Sequence, residues 1–171
     1  SCYADLNNAL VNSLYHSDGP SVIRYPRGKE PQMPDGYSCN GALFDVFGDE
    51  NANVAIVTYG RIFGEAYKAY NKLKSEGINV KLVKLNVIVP IPEEVISSIN
   101  TAHKVFFFEE GVKTGGVGES FASVMLEHKL SPEFCLTAFP DCFVKQGKTE
   151  SIFRQYKLDC DGMVETIREN L

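Results

Sequence analysis

The sequence predicts an α/β protein, a mainly parallel sheet with helices packed on both faces. Short apolar runs at 54–59, 80–85, 105–108 and 134–139 have the length of buried strands. Between them lie stretches whose apolar residues recur at helical spacing, and strands alternating with helices build parallel sheets covered on both sides. Turn residues, among them Gly60, Gly77 and Pro140, fall at the joins.

Size and composition allow such a core. The chain has 171 residues, 44% hydrophobic and 23% charged, the composition of an ordinary globular domain. No apolar run is long enough to cross a membrane, and the first residues show neither a basic start nor an apolar signal core. A formal net charge of −5 and the lack of a basic stripe argue against nucleic acid as the partner. The five cysteines (Cys2, Cys39, Cys135, Cys142, Cys160) are odd in number and form no Cys-x-x-Cys pair, which points to reduced thiols and a cytoplasmic setting. His16, His103 and His128 are scattered, none at metal-ligand spacing from another His or Cys. The chain lacks an initiator Met, and Ser1 stands directly before a helical pattern, so a piece of something longer is expected.

Taken in order, Tyr3, Leu6, Leu10 and Leu14 predict an amphipathic helix over 3–15, closed by the turn chemistry of 16–20. Residues 21–25 read as a short buried strand that must stop at Pro26, which cannot donate to a ladder. Residues 29–41 hold Pro31, Pro34, Gly36 and Gly41 and form the best linker in the chain. A boundary there makes 1–28 the end of one domain and 42–171 another, because some thirty residues cannot form a core alone. Residues 42–47 suit an edge strand, followed by a polar turn at 48–51 and the strand 54–59 closed by Gly60. Phe63, Ala66, Tyr67, Tyr70 and Leu73 share one helical face, with Gly77 as the stop. After strand 80–85, Pro90 and Pro92 mark a loop and a helix start, and Val95, Ile96 and Ile99 turn inward. Strand 105–108, a glycine-rich turn at 111–118 and a helix over 117–128 make the next βα unit. Strand 134–139 follows, then short helices near 150–157 and 161–170, the last capped by Asp159 or Asp161.

Several groups invite a chemical reading. The glycine turn places Gly111 and Gly116 at P-loop spacing, but Val117 and Gly118 stand where lysine and Ser/Thr belong. Gly116-x-Gly118 has Phe121 where a dinucleotide fingerprint needs glycine. These glycines are therefore expected to serve a tight turn and close helix packing. Glu109 and Glu110 are adjacent on an extended segment and point to opposite faces, so they cannot serve one site together. Solvation, or an ion pair at a subunit contact, is the expected role. His103 suits a surface or capping role, Cys142 has no nearby His to activate it, and Phe106 to Phe108 read as core. Arg24 and Arg27 carry more weight. Arg27 stands between Pro26 and Gly28 at the carboxyl end of a predicted strand, where α/β proteins bind ligands and a guanidinium can grip a phosphate. A salt bridge at a domain edge is the even alternative.

Four motifs in order, GPSVIRYPRG (19–28), VAIVTYGRIFGEA (54–66), FFEEGVKTGGVGES (107–120) and FPDCFVKQGKTES (139–151), resemble the C-terminal part of the 1-deoxy-D-xylulose-5-phosphate synthase family, within the transketolase superfamily. The resemblance runs nearly end to end. Pro140, Asp141, Phe143, Gln146 and Gly147, followed by Leu158, Asp159, Gly162 and Met163, distinguish it from transketolases and from the beta subunits of 2-oxo-acid dehydrogenases. Phe139 and Cys160 depart from the family's usual Leu and Ala.

The resemblance implies a five-stranded sheet with one antiparallel edge strand, for which 42–47 is the candidate, preceded by the end of a pyrimidine-binding domain. It implies a homodimer in which pyruvate loses CO2 and its remainder joins D-glyceraldehyde 3-phosphate, with thiamine diphosphate as electron sink and Mg2+ beside it. It assigns the sugar phosphate to Arg27. The family's diphosphate and metal motif has no match: Gly48-Asp49-Glu50-Asn51 differs from it, and the activating glutamate belongs before Ser1. No catalytic, cofactor or metal residue is therefore expected in this chain, which alone should neither bind thiamine diphosphate nor turn over. The alternatives are a non-catalytic interaction domain, as in the dehydrogenase beta subunits, and a transketolase.

Overall fold

The structure, a computed structural model, describes residues 2–171; Ser1, beside which the first helix was expected to start, lies outside the described residues. After helix α1 (Tyr3–Tyr15) the described chain runs β1 (Phe44–Phe47), β2 (Val54–Tyr59), a 3-10 turn (Gly60–Ile62), α2 (Phe63–Ser75) and β3 (Val80–Leu85). Then come α3 (Glu93–Ser98), β4 (Lys104–Val112), α4 (Val117–Glu127), β5 (Glu133–Phe139), α5 (Thr149–Gln155) and α6 (Cys160–Glu169). The sheet has five strands in the order β1-β3-β2-β4-β5. β2, β3, β4 and β5 are parallel, and only β1 runs antiparallel, at the edge, pairing Phe44 with Leu85 and Phe47 with Leu82. This is the three-layer architecture expected.

The pleat sorts the side chains. Phe106 and Phe108 enter a core with Ile56, Leu82, Phe63, Ala66 and Leu73, closed by Phe153, Met163 and Ile167 from α5 and α6. Phe107, one residue away, enters the opposite core with Val57, Val83, Ile96, Phe121 and Met125, under α3 and α4. All three phenylalanines are at most 1% exposed, and burying each contributes roughly 1.5–3 kcal/mol. Gly77, at φ +83°, ends α2, with Gly77 N donating to Lys74 O (3.0 Å) and Ile78 N to Leu73 O (3.1 Å). That pair of bonds caps the last helical carbonyls. Of the two candidate caps for α6, the structure uses Asp159, whose Oδ1 accepts from Gly162 N at 3.1 Å. Pro92 is the N-cap of α3 rather than part of its first turn.

Three expectations are corrected. Residues 21–25 form no strand; Val22 and Tyr25 are 91% and 71% exposed. A strand needs a neighbour to complete its ladder, and none of the described strands pairs with this segment. The strand expected at 105–108 continues through Glu109, Glu110 and Gly111 to Val112, with an irregularity in its pairing to β5 after Phe108. Glu109 is therefore not solvated: it is fully buried.

The irregular segment 29–41 is docked. Met33 packs on the first core, and Pro31 sits so close to α2 that a Cβ at Gly64 would lie 2.7 Å from it. β3 buries two lysines completely, Lys84 against this segment and Lys81 away from it. Lys84 Nζ lies 3.0 Å from both Asp5 and Asp45 and donates to Tyr37 Oη at 2.7 Å. Lys81 Nζ donates to Glu50 O (2.5 Å), Ser98 O (2.8 Å) and Thr101 Oγ1 (3.1 Å), while burial pushes its pKa down. Each ammonium thus has partners for its protons, without which burial would cost far more.

Candidate functional site

In an open parallel sheet, the ligand crevice opens at the carboxyl ends of the strands, where successive connections leave in opposite directions. Here β2 connects to β3 on one side, and β3 connects back across β2 to β4. The crevice therefore lies between the ends of β2 and β4. Tyr59, Gly60 and Arg61 leave one strand there; Glu109 and Glu110 stand on the other.

The two carboxylates point to opposite faces, as their adjacency requires. Glu109 Oε2 accepts from Tyr59 Oη (3.1 Å) and from Val117 N at the start of α4 (3.0 Å). A carboxylate beside a helix N-terminus is stabilised by the helix dipole. Burial nevertheless pushes the pKa of Glu109 up, with the bonds from Tyr59 and the α4 backbone and the nearby Arg24 charge opposing it. Its Oε1 has no hydrogen-bond partner among the described residues. Burial, then the Glu109 charge, pushes Tyr59 up to about 12. On the other face Glu110 takes a two-pronged grip from Arg61, Nε to Oε2 at 3.1 Å and Nη2 to Oε1. Glu110 thus forms its ion pair within the chain, where an ion pair at a subunit contact, or solvation, was expected. Arg61 Cζ also lies 5.4 Å from the centre of the Phe153 ring.

The glycine turn explains itself by contact. A Cβ at Gly116 would lie 2.1 Å from Glu109 Oε1 and 2.6 Å from Val112 O, and one at Gly118 would lie 2.3 Å from Leu136 Cδ1. Close packing against the buried carboxylate and β5 demands glycine.

The segment carrying Arg24 and Arg27 lies over this crevice. The Arg24 guanidinium stands 5.6 Å from the Tyr59 ring centre, and Arg61 Nη1 donates to Arg27 O at 3.3 Å. Arg27 itself is exposed, and its side chain has no ion pair among the described residues. Beside it a cavity of about 850 Å³ opens between α1, residues 20–30 and the ends of β2 and β3. Arg24, Pro26, Gly28, Tyr59 and Asn86 line it; Arg27 does not.

The residues present do not fit a magnesium diphosphate group. Among the described residues no three His, Cys, Asp or Glu converge as metal ligands. In the 48–51 turn, Asp49 Oδ1 already accepts from Asn51 N at 2.8 Å and Glu50 O from Lys81. His103 is exposed, Cys142 is exposed, and neither meets a catalytic partner among the described residues. Sequence reasoning missed Tyr59 and Arg61. The signal was available, since both flank the Gly60 that closes a buried strand, the same position that singled out Arg27.

The fold and this site define a class. The chain belongs to the family "Transketolase, C-terminal domain", which matches residues 47–163. Within that class its curated relatives include 1-deoxy-D-xylulose-5-phosphate synthases. The one from Caldanaerobacter subterraneus is 33% identical over 167 residues, covering 92% of this chain and 26% of the relative. The one from Chlorobium phaeovibrioides is 28% identical, covering 96% of this chain and 26% of the relative. This chain thus spans about a quarter of their length. A solved structure described as "Split gene transketolase, inactive beta4 tetramer" shares the fold, with a TM-score of 0.67 at 24% identity over 82% of this chain and 46% of that one.

Proposed function

We propose that this chain supplies the C-terminal part of a 1-deoxy-D-xylulose-5-phosphate synthase, which joins pyruvate to D-glyceraldehyde 3-phosphate with loss of CO2. One observation carries the reading: similarity to these synthases over more than nine-tenths of the chain, at 33% identity to one of them. Thiamine diphosphate, with Mg2+, supplies the electron sink in such an enzyme and is held by residues outside this chain. In this reading residues 1–28 end a pyrimidine-binding domain, 29–41 link it to the domain at 42–171, and the enzyme is a cytoplasmic homodimer. The chain alone neither binds the cofactor nor turns over.

The chain's own contribution is Arg27, which holds the phosphate of the aldehyde substrate. Its exposure and lack of an ion-pair partner among the described residues leave the guanidinium available, and a fixed cation suits a phosphate dianion. Anchoring that non-reacting end positions the aldehyde carbon for attack. Arg27→Ala in the assembled synthase is expected to raise the KM for the phosphorylated aldehyde by about 10- to 100-fold, the loss of a charged hydrogen bond, and to leave that for pyruvate nearly unchanged. Equal effects on both substrates would sink the assignment.

A further inference from the structure

Glu109 and Glu110 are adjacent on β4, yet each reaches the same segment, residues 24–27, through a different residue at the end of β2. On the α4 face the path is Glu109 to Tyr59 Oη (3.1 Å), then the Tyr59 ring to the Arg24 guanidinium (5.6 Å to the ring centre). On the α5 face it is Glu110 to Arg61 by two bonds, then Arg61 Nη1 to Arg27 O (3.3 Å). Gly60 lies between the two intermediaries at φ +67°, a left-handed turn that glycine adopts without strain. Tyr59 and Arg61 then diverge to opposite faces of the sheet.

We propose that this paired clamp makes Glu110 and Arg61, with Glu109 and Tyr59, positioning residues for the 24–27 segment, holding the Arg27 backbone so that its side chain is presented outward. The surroundings of the three guanidiniums support that division of labour. Arg61 is paired with Glu110, and Arg24 stands over the Tyr59 ring with the Glu109 charge nearby, whereas Arg27 is exposed and, like Arg24, has no ion pair among the described residues. The Arg61 fork is fixed from three sides, by the carboxylate, the Phe153 ring and the Arg27 carbonyl. Lysine could not reproduce that fork, because an ammonium is a point charge without planar geometry. The clamp's purpose rests on the phosphate reading of Arg27, although its geometry does not.

Limited trypsin digestion of the 171-residue chain tests the clamp itself. The bond after Arg27 is compared with the one after Lys145, exposed in an irregular segment far along the chain. Glu110→Ala is expected to speed cutting after Arg27 about tenfold relative to Lys145, because the backbone loses its anchor. If that variant loses its circular dichroism, Arg61→Gln at a partly exposed position takes its place. A ratio unchanged from the parent, in whichever variant folds, overturns the clamp. Kinetics then test its purpose. In the assembled synthase, Arg61→Gln is expected to raise the KM for the phosphorylated aldehyde in the same direction as Arg27→Ala, but less, with the KM for pyruvate unmoved. If Arg27→Ala shows this split and Arg61→Gln does not, the positioning role is wrong. If neither shows it, the phosphate reading itself has failed, and the digestion result still decides the clamp.

Discussion

Residues 21–25 and 54–59 are both short apolar runs that end at a proline or glycine, yet they have opposite fates. The second becomes β2, fully buried between β3 and β4. The first is an exposed segment with no ladder among the described strands. The same contrast holds for the helices. α1 has no fully buried residue, with Leu14 and Tyr15 72% and 76% exposed, whereas α2 buries Phe63, Ala66, Ala69 and Leu73 completely. Apart from Pro31 and Met33, which meet α2 and the first core, the N-terminal region is held by polar contacts: Asp5 to Lys84, Tyr37 to Asp45, Asn8 to the Cys39 carbonyl and the Arg61 grip on Arg27. The sheet is held by two apolar cores. The difference teaches that an amphipathic pattern states what a segment could bury, while the neighbours available decide whether it does.

The largest expected effect that sharpens this contrast is Phe107→Ala. It removes a fully buried ring between Phe121 and Phe134 and should cost about 3–5 kcal/mol of stability in urea unfolding. A cost below about 1 kcal/mol would show that the second core is not packed as described.

The pH dependence should divide between the two regions. Burial raises the Asp5 pKa, but hydrogen bonds, those with Cys39 and Lys84 among them, outweigh it and hold the carboxyl well below the usual range. A depressed folded pKa gives stability that is present above the unfolded value of about 3.9 and is lost as pH falls toward the folded one. Glu109 is shifted the other way, by burial, so its contribution is present below about pH 4.3 and lost as pH rises through its raised value. Asp5→Asn should therefore weaken the acid-side fall in the unfolding midpoint, and Glu109→Gln should flatten the fall on the neutral side. Midpoints measured from pH 3 to 8 that show both variants altering the same limb would refute this division.

The smallest effect is expected for Leu14→Ala. At 72% exposed it has little burial to lose, and the same measurement should shift by no more than about 0.5 kcal/mol. A shift as large as that of Phe107→Ala would mean that α1 is integral to the core and would break the contrast.

Much of the sheet was legible because its signals are local. Strand 80–85 is a short apolar-rich run buried on both faces, Gly77 stands before it, Pro140 follows the strand that ends at Phe139, and Asp159 precedes a helix with a capping carboxylate. The antiparallel edge strand and the count of five came from the family resemblance, and the structure has both. The site was legible only in part. Arg27 was singled out by its place after a supposed strand that does not form, whereas Tyr59 and Arg61, after a strand that does, were passed over. For Glu109 the sequence suggests solvation or an ion pair at a subunit contact, because nothing in its neighbours along the chain announces Tyr59, fifty positions away.

The sequence by itself determined the alternation of strands and helices, the glycine positions and the opposite facing of two adjacent glutamates, since all of these follow from backbone geometry within a few residues. Only the tertiary structure decided that Lys81, Lys84 and Glu109 are buried charges or carboxyls with partners, that 21–25 stays outside the sheet, and that Arg24 and Arg27 come to the ends of β2 and β4. Burial, ladder pairing and ion pairing are properties of groups brought together across long stretches of chain, and no local pattern specifies which groups will meet.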